Sequence, residues 1–202
     1  MPVAKGARID PAETRQRLLD TADRLFAGHS IHAVGVNEIA AEAGASKLSL
    51  YRYFSSKHDL AASVVGQRSE RIHDWLRRET ADAPGGADRV LSVFDLLMEW
   101  YAQPGYRGCT IVNAVTDARG DGELELGEIG RLHLQRYREL LRSRAIEAGV
   151  KADRANRLSR QLLLLIEGAT TVAFLEGDRS TAGADARAAA AAMLDDALGI
   201  NS

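Results

Sequence analysis

The sequence predicts an all-α protein, and three observations predict it. Alanine, leucine, arginine and glutamate dominate the chain while β-branched alternation is nearly absent, a composition that favours helix. Four prolines occur, three of them at positions 2, 11 and 84, so long stretches keep every backbone donor a helix needs. Apolar residues recur at three- and four-residue spacing between capping residues and glycines, which is the pattern of amphipathic helices. About nine helices are expected.

The first ten residues carry Lys5 and Arg8 without periodicity and read as an arm. Asp10-Pro11-Ala12-Glu13 reads as a helix start, with Asp10 as cap, Pro11 in the first helical position and Glu13 reaching back. Leu18, Ala22, Leu25 and Phe26 share one face of that helix, which Gly28 ends. A short helix over about 36–43 turns Val36, Ile39, Ala40 and Ala43 inward. Gly44 breaks it, and Ser46 caps a third helix over about 46–53. Ser56-Lys57-His58-Asp59 resembles a capping box that opens a long fourth helix to about 80. Ala83-Pro84-Gly85-Gly86 is the clearest linker. Further helices are expected over about 88–102, 108–118, 123–148, 153–176 and 183–198. Arg119-Gly120-Asp121-Gly122 reads as a loop, and Asp153 as the cap of the eighth helix. The domain division that follows is 1–56 and 57–202.

Two short helices joined by the Gly44 turn make a helix-turn-helix, in which the second helix is presented to the major groove of duplex DNA. Ala40, Ala43 and Ala45 let the two helices approach, and Leu50 and Phe54 anchor the second one inward. The whole chain has a net charge of −2, so any nucleic-acid site must be a local patch. Segment 46–57 supplies one, because it contains Lys47, Arg52 and Lys57 and no acid. Lys57 and the open amides at the start of the fourth helix suit a phosphate oxygen. Ser49 and Tyr51 offer hydroxyls.

The run from Val36-Asn37-Glu38-Ile39-Ala40-Ala41 through Gly44-Ala45-Ser46-Lys47-Leu48-Ser49-Leu50-Tyr51-Arg52-Tyr53-Phe54 to Lys57-His58-Asp59-Leu60 closely resembles the DNA-binding segment of the TetR (tetracycline-repressor-like) family. Leu25-Phe26-Ala27 resembles that family's first helix, so the resemblance covers about residues 11–60. It implies a nine- or ten-helix subunit, a homodimer, and a ligand pocket in the C-terminal domain, with repression relieved by a small molecule. Carried onto this chain, it makes Lys47, Leu48, Ser49, Tyr51 and Arg52 the groove-facing residues, and Tyr53 and Lys57 the phosphate contacts. Two positions depart from the family pattern. Gly35 stands where Ser or Thr is frequent and offers no hydroxyl. Leu48 stands where Gly or Thr is frequent, either meeting a thymine methyl or tucking against the neighbouring helix.

The C-terminal part is less specific. Tyr106-Arg107-Gly108-Cys109 with Asn113-Ala114 resembles a segment found in a subset of the family. Pocket candidates are Trp75, Phe94, Trp100, Tyr101, Asn113, His133, Tyr137, Glu167, Thr170 and Phe174. Glu167 interrupts an apolar run, so it holds a cationic or hydroxylated ligand or pairs with Arg160 or another arginine. Cys109 is a redox sensor or a small buried residue. Leu158, Leu162, Leu165, Ile166 and Ala169, with Ala188 to Ala192, Met193 and Leu194, form either a dimer interface or an internal core. A ligand-driven shift of the fourth helix would couple the pocket to DNA.

Other classes are disfavoured. The histidines at 29, 32, 58, 73 and 133 lack metal-ligand spacing, and no metal, nucleophile-elbow or phosphate-loop motif occurs. The acidic group Asp117, Asp121, Glu123, Glu125 and Glu128 lacks calcium-loop spacing. No cofactor, metal or enzymatic activity is expected. One cysteine, the lack of an apolar leader, and a longest dense apolar run of only Leu162 to Ile166 point to a cytoplasmic protein without a membrane span. The expected partners are double-stranded operator DNA, a small-molecule effector and a second copy of the chain. The alternative is a helical interaction or ligand-binding module whose DNA-binding head does not read sequence.

Overall fold

Thr14, Leu18, Ala22 and Leu25 recur at three- and four-residue spacing and are all buried, which makes α1 (Pro11–Gly28) a helix with a single inward face. The computed structural model describes residues 11–118 and 123–200. The expected Asp10 cap, the N-terminal arm and the 119–122 loop lie outside them. After α1 come α2 (Val36–Glu42), α3 (Lys47–Tyr53), α4 (Lys57–Asp82), α5 (Ala87–Tyr101), α6 (Thr110–Asp117), α7 (Glu123–Glu147), α8 (Ala152–Leu175) and α9 (Arg179–Leu198). The described residues are thus all-helical.

Two compact units result. The first takes the chain through Ser69 together with Ile111–Gly130; the second takes Glu70–Thr110 and Arg131 onward. The division therefore runs inside α4 rather than at 56/57, because Leu60, Ala61, Val64 and Val65 of α4 are buried in the unit that holds α1 to α3. Arg68 ties α4 to α1 there, its Nε donating to Asp23 Oδ1 at 2.8 Å and its Nη2 to the Asp23 carbonyl at 2.8 Å.

In the second unit α9 lies against both α8 and α5. Gly183, Ala186, Ala190 and Leu194 form its buried face. A Cβ on Gly183 would sit 2.4 Å from Met98 Cγ, so this position needs a hydrogen for α5 and α9 to approach. Leu158, Leu162, Ile166 and Ala169 of α8 are buried in the same core. The internal-core reading thus holds for Leu158, Leu162, Ile166 and Ala169, whereas Leu165 is half-buried and Ala188 and Ala192 of α9 are exposed. The exposed face of α8 is another one, carrying Leu164, Val172, Phe174 and Leu175.

Helix ends differ from the sequence reading where capping chemistry differs. Lys151, not Asp153, precedes α8, and Asp153 lies in its first turn. Helix α9 starts at Arg179 rather than 183, because the Asp178 carboxylate accepts from the Thr181 amide at 3.1 Å. By length and composition α8 is the one described helix apolar enough to cross a membrane, with 39% of its most apolar window buried. Packing into the core accounts for one apolar side of it, and the exposed Leu164, Val172 and Leu175 make up a second.

Candidate nucleic-acid interface and internal cavity

The turn between α2 and α3 is closed by backbone chemistry. Ala45 N donates to Ala40 O at 2.9 Å and Gly44 N to Ala41 O at 3.1 Å, with Gly44 at φ 63°. This is a Schellman cap, and its left-handed residue is a glycine because a Cβ disfavours that backbone. Ser46 then starts α3, its Oγ accepting from Ser49 N at 3.0 Å. At the head of α2, Gly35 has no side chain to cap with, and only the reciprocal half of a capping box exists, Gly35 N donating to Glu38 Oε2 at 3.3 Å.

With the turn set, α3 buries Leu50, and Phe54 closes its end; they are 0% and 1% exposed. Lys47 and Arg52 point to solvent, and Leu48 and Tyr51 are 75% and 44% exposed. Of the two readings of Leu48, the tucked one is therefore excluded. Ser49 is half-buried and its hydroxyl is engaged with Ser46 Oγ at 2.9 Å. Tyr53 is half-buried as well.

Lys57 is less free than the sequence suggests. Its Nζ donates to the His32 carbonyl at 3.2 Å, and partial burial lowers its pKa, opposed by the charge of Asp117. Asp117 also holds the α1–α2 loop. Its Oδ2 accepts from Ser30 Oγ at 2.6 Å and from Ile31 N at 3.1 Å, while its carbonyl lies 2.9 Å from His32 Nε2. The start of α4 is capped by Ser56 Oγ, which accepts from Asp59 N at 3.0 Å. The Asp59 carboxylate accepts from Ser55 N at 2.7 Å, so two of the amides expected to be open to phosphate are already bonded.

The second unit contains a cavity of about 400 Å³. Of the predicted pocket residues, Trp75, Trp100, His133 and Tyr137 line it. The others do not. Phe94 is packed in the core at 1% exposure, and Phe174 faces outward at 45%. Asn113 is exposed in the first unit. Tyr101 and Thr170 are buried and bond each other, hydroxyl to hydroxyl, at 2.9 Å, with Tyr106 donating to the Thr170 carbonyl at 2.7 Å. Glu167 is partly buried, and its carboxyl pKa is raised by that burial. Neither Arg160 nor another arginine pairs with it among the described residues. The lining residues not anticipated are Ile72, Leu97, Glu99, Gln103 and Thr110, with Cys109, for which the sequence offers a redox sensor or a small buried residue. Ile72 and Leu97 lie three residues before Trp75 and Trp100, and that same-face spacing was the available signal.

One polar chain reaches the cavity wall. His73 Nε2 and His133 Nδ1 are 3.0 Å apart, and His133 Nε2 is 3.8 Å from Cys109 Sγ. Tyr137 meets both imidazoles edge-on, at centroid distances of 4.8 and 5.2 Å. Burial, reinforced by Arg136, takes His73 down to about 4. Burial, reinforced by His73, takes His133 down to about 3. Both rings are therefore neutral at pH 7, one donating to the other.

Residues 18–64 match the family described as "Bacterial regulatory proteins, tetR family". The chain is 26% identical to SCO4454, a TetR-family transcriptional regulator from Streptomyces coelicolor, with a TM-score of 0.80 over 93% of this chain and 97% of that one. A TetR-type regulator from Streptomyces avermitilis, sav143, gives 25% identity and a TM-score of 0.74 over 91% and 97%. Among curated relatives, the HTH-type transcriptional regulator Rv1255c of Mycobacterium tuberculosis is 39% identical over 75 residues, a match spanning 37% of each chain. The HTH-type transcriptional repressor SCO4008 of Streptomyces coelicolor is 34% identical over 85 residues, 42% of this chain and 44% of the relative. The chain thus spans 37% and 44% of the length of these two curated relatives. The matched N-terminal segment, the helix-turn-helix geometry and the likeness across the whole fold agree: residues 18–64 match the DNA-binding segment of the tetR family of bacterial regulatory proteins, and the chain as a whole is similar to TetR-family transcriptional regulators.

Proposed function

We propose that this protein is a DNA-binding transcriptional regulator, a repressor released from its operator by a small molecule. The observation that carries the reading is α3. It is short, anchored inward by Leu50 and Phe54, and presents Lys47, Leu48, Tyr51 and Arg52 outward, which suits a recognition helix in the major groove. Ser49 and Tyr53 lie at the edge of that surface, and Lys57 reaches phosphate if its bond to His32 is exchanged. The name of the relative SCO4008 supports the repressor sense. The site of action is the cytoplasm.

The effector site is the cavity lined by Trp75, Trp100, His133 and Tyr137. Helix α4 contributes to both units, so ligand and operator compete through one element, with a coupling of about 1–3 kcal/mol. The working unit is a homodimer built through α8 and α9.

The test is binding of the purified chain to duplex DNA flanking its own gene across a salt series. Sequence-preferring binding that weakens steeply with salt is expected, since phosphate contacts release counterions. Arg52→Ala is expected to cost about 1–3 kcal/mol of preference at particular base pairs. Equal affinity for flanking and random DNA at every salt concentration would instead leave the chain as a helical binding module with a head that does not read sequence.

A further inference from the structure

We propose that the cavity of the second unit takes an uncharged, planar aromatic molecule bearing a hydroxyl or similar polar edge, held against the Trp75 and Trp100 rings and hydrogen-bonded by the Tyr137 hydroxyl. The proposal rests on the reading of this cavity as the effector site and names what enters it.

Size and walls come first. A cavity of about 400 Å³ lies within the roughly 300–1,000 Å³ typical of small-molecule sites. Trp75, Trp100 and Tyr137 give it aromatic faces, and Ile72 and Leu97 aliphatic ones. Aromatic rings favour offset or edge-on contact with another ring.

Charge decides the class. No lysine or arginine lines the cavity, and its one ionic lining residue, Glu99, is exposed. An organic anion would thus be desolvated beside a carboxylate with no cation to receive it. Aromatic faces attract cations as well. At this wall, however, Arg136 acts on His133 while itself paired with Glu70, and Glu167 acts on Tyr137, so neither sign of charge prevails. Glu99, being exposed, is screened by solvent and selects weakly between the signs.

The polar contact is the specific part. Tyr137 is 5% exposed and lines the cavity. Among the described residues no hydrogen bond reaches its hydroxyl, and that oxygen is not among the buried atoms left unpaired. It therefore opens on the cavity, and its bond must come from what fills that space. His133 has its Nδ1 committed to His73 and its Nε2 3.8 Å from Cys109 Sγ, so Tyr137 offers the hydroxyl not already engaged.

The experiment is calorimetric titration of the full chain, without DNA, with β-naphthol, naphthalene, β-naphthoate and a trimethylammonium derivative of naphthalene. β-Naphthol is expected to bind about tenfold more tightly than naphthalene, the effect of one buried hydrogen bond, and ahead of both ions. Both tryptophans of the chain line this cavity, so loss of their emission on titration reports the site. Tyr137→Phe is expected to abolish the advantage of β-naphthol while leaving naphthalene unchanged. Trp100→Leu is expected to weaken both alike and keep their ratio. Naphthalene matching β-naphthol in the native chain, either ion binding more tightly, or an undiminished preference in a Tyr137→Phe chain that still binds naphthalene would overturn the proposal. So would failure of every probe to bind a chain that still binds DNA. β-Naphthol binding with the expected ranking but without effect on DNA affinity would uphold the ligand class and overturn the effector reading instead.

Discussion

At the scale of single residues, the exposed positions of α3 were legible and the engaged ones were not. Leu48 and Arg52 face solvent because the four-residue spacing of Leu50 and Phe54 fixes which side is buried. Ser49 and Lys57 lie on the same short stretch, but their polar atoms are taken by Ser46 and by the His32 carbonyl. The first bond is a local cap and the second crosses 25 residues, and no periodicity records such a bond. His73 and His133 are a stronger case, since 60 residues separate partners whose facing ring nitrogens are 3.0 Å apart. Their chemistry carries a pH prediction. In the unfolded chain each titrates near 6.5; in the folded chain His73 is held at about 4 and His133 at about 3. Below pH 6.5 the unfolded state binds more protons, so stability is fully present above that pH and declines as the pH falls toward 4. Between pH 7 and pH 5 the loss is on the order of 2 kcal/mol per histidine. Urea unfolding at the two pH values measures it, and the paired change His73→Leu with His133→Leu is expected to flatten the dependence. A native chain equally stable at both pH values would show that the imidazoles are not held neutral.

At the scale of elements, helix existence was readable and helix starts less so. Helix α9 starts at Arg179 rather than 183, because Asp178 stands three residues before Thr181 and caps it. In the fold Gly183 is an approach point inside the helix, and Gly44 is a true terminator. The two glycines make opposite predictions. Gly44 has φ 63° and nothing within 4 Å of an added Cβ, so Gly44→Ala costs about 1–2 kcal/mol through the backbone alone. Gly183 is helical, and its added Cβ would meet Met98 Cγ at 2.4 Å, so Gly183→Ala costs about 1–3 kcal/mol through overpacking. Chemical denaturation of the single variants gives the two costs. Adding Met98→Ala is expected to relieve part of the Gly183→Ala penalty, as a non-additive pair. It is expected to leave the Gly44→Ala penalty unchanged. Strict additivity in both pairs would mean that α9 shifts rather than clashes.

At the scale of the whole molecule, the open question is what covers the outer face of α8. Its inner face, Leu158, Leu162, Ile166 and Ala173, is almost fully buried within the subunit. Leu164, Val172 and Leu175 are 75%, 41% and 72% exposed, and with Gly168 they form one stripe at three- and four-residue spacing. The sequence showed that α8 was apolar without showing that it has two apolar faces, because the run Leu162 to Ile166 supplies both. A twofold axis lets such a stripe meet its own copy, with Gly168 permitting close approach. The homodimer proposed above would use such a pairing to read two half-sites about 34–36 Å apart. The paired change Leu164→Glu and Leu175→Glu is therefore expected to give a monomer by sedimentation. Its helical circular dichroism should be unchanged, since both side chains lie outside the subunit core. Operator affinity should fall by about a hundredfold or more, as each head loses the effective concentration its partner provides. Leu162→Glu, by contrast, places a charge in the core of one subunit and is expected to unfold it. A Leu164→Glu/Leu175→Glu chain that sediments as a dimer with operator affinity intact would move the subunit interface off this face of α8, and the exposed alanines of α9 at 184, 188 and 192 would be the next surface to charge.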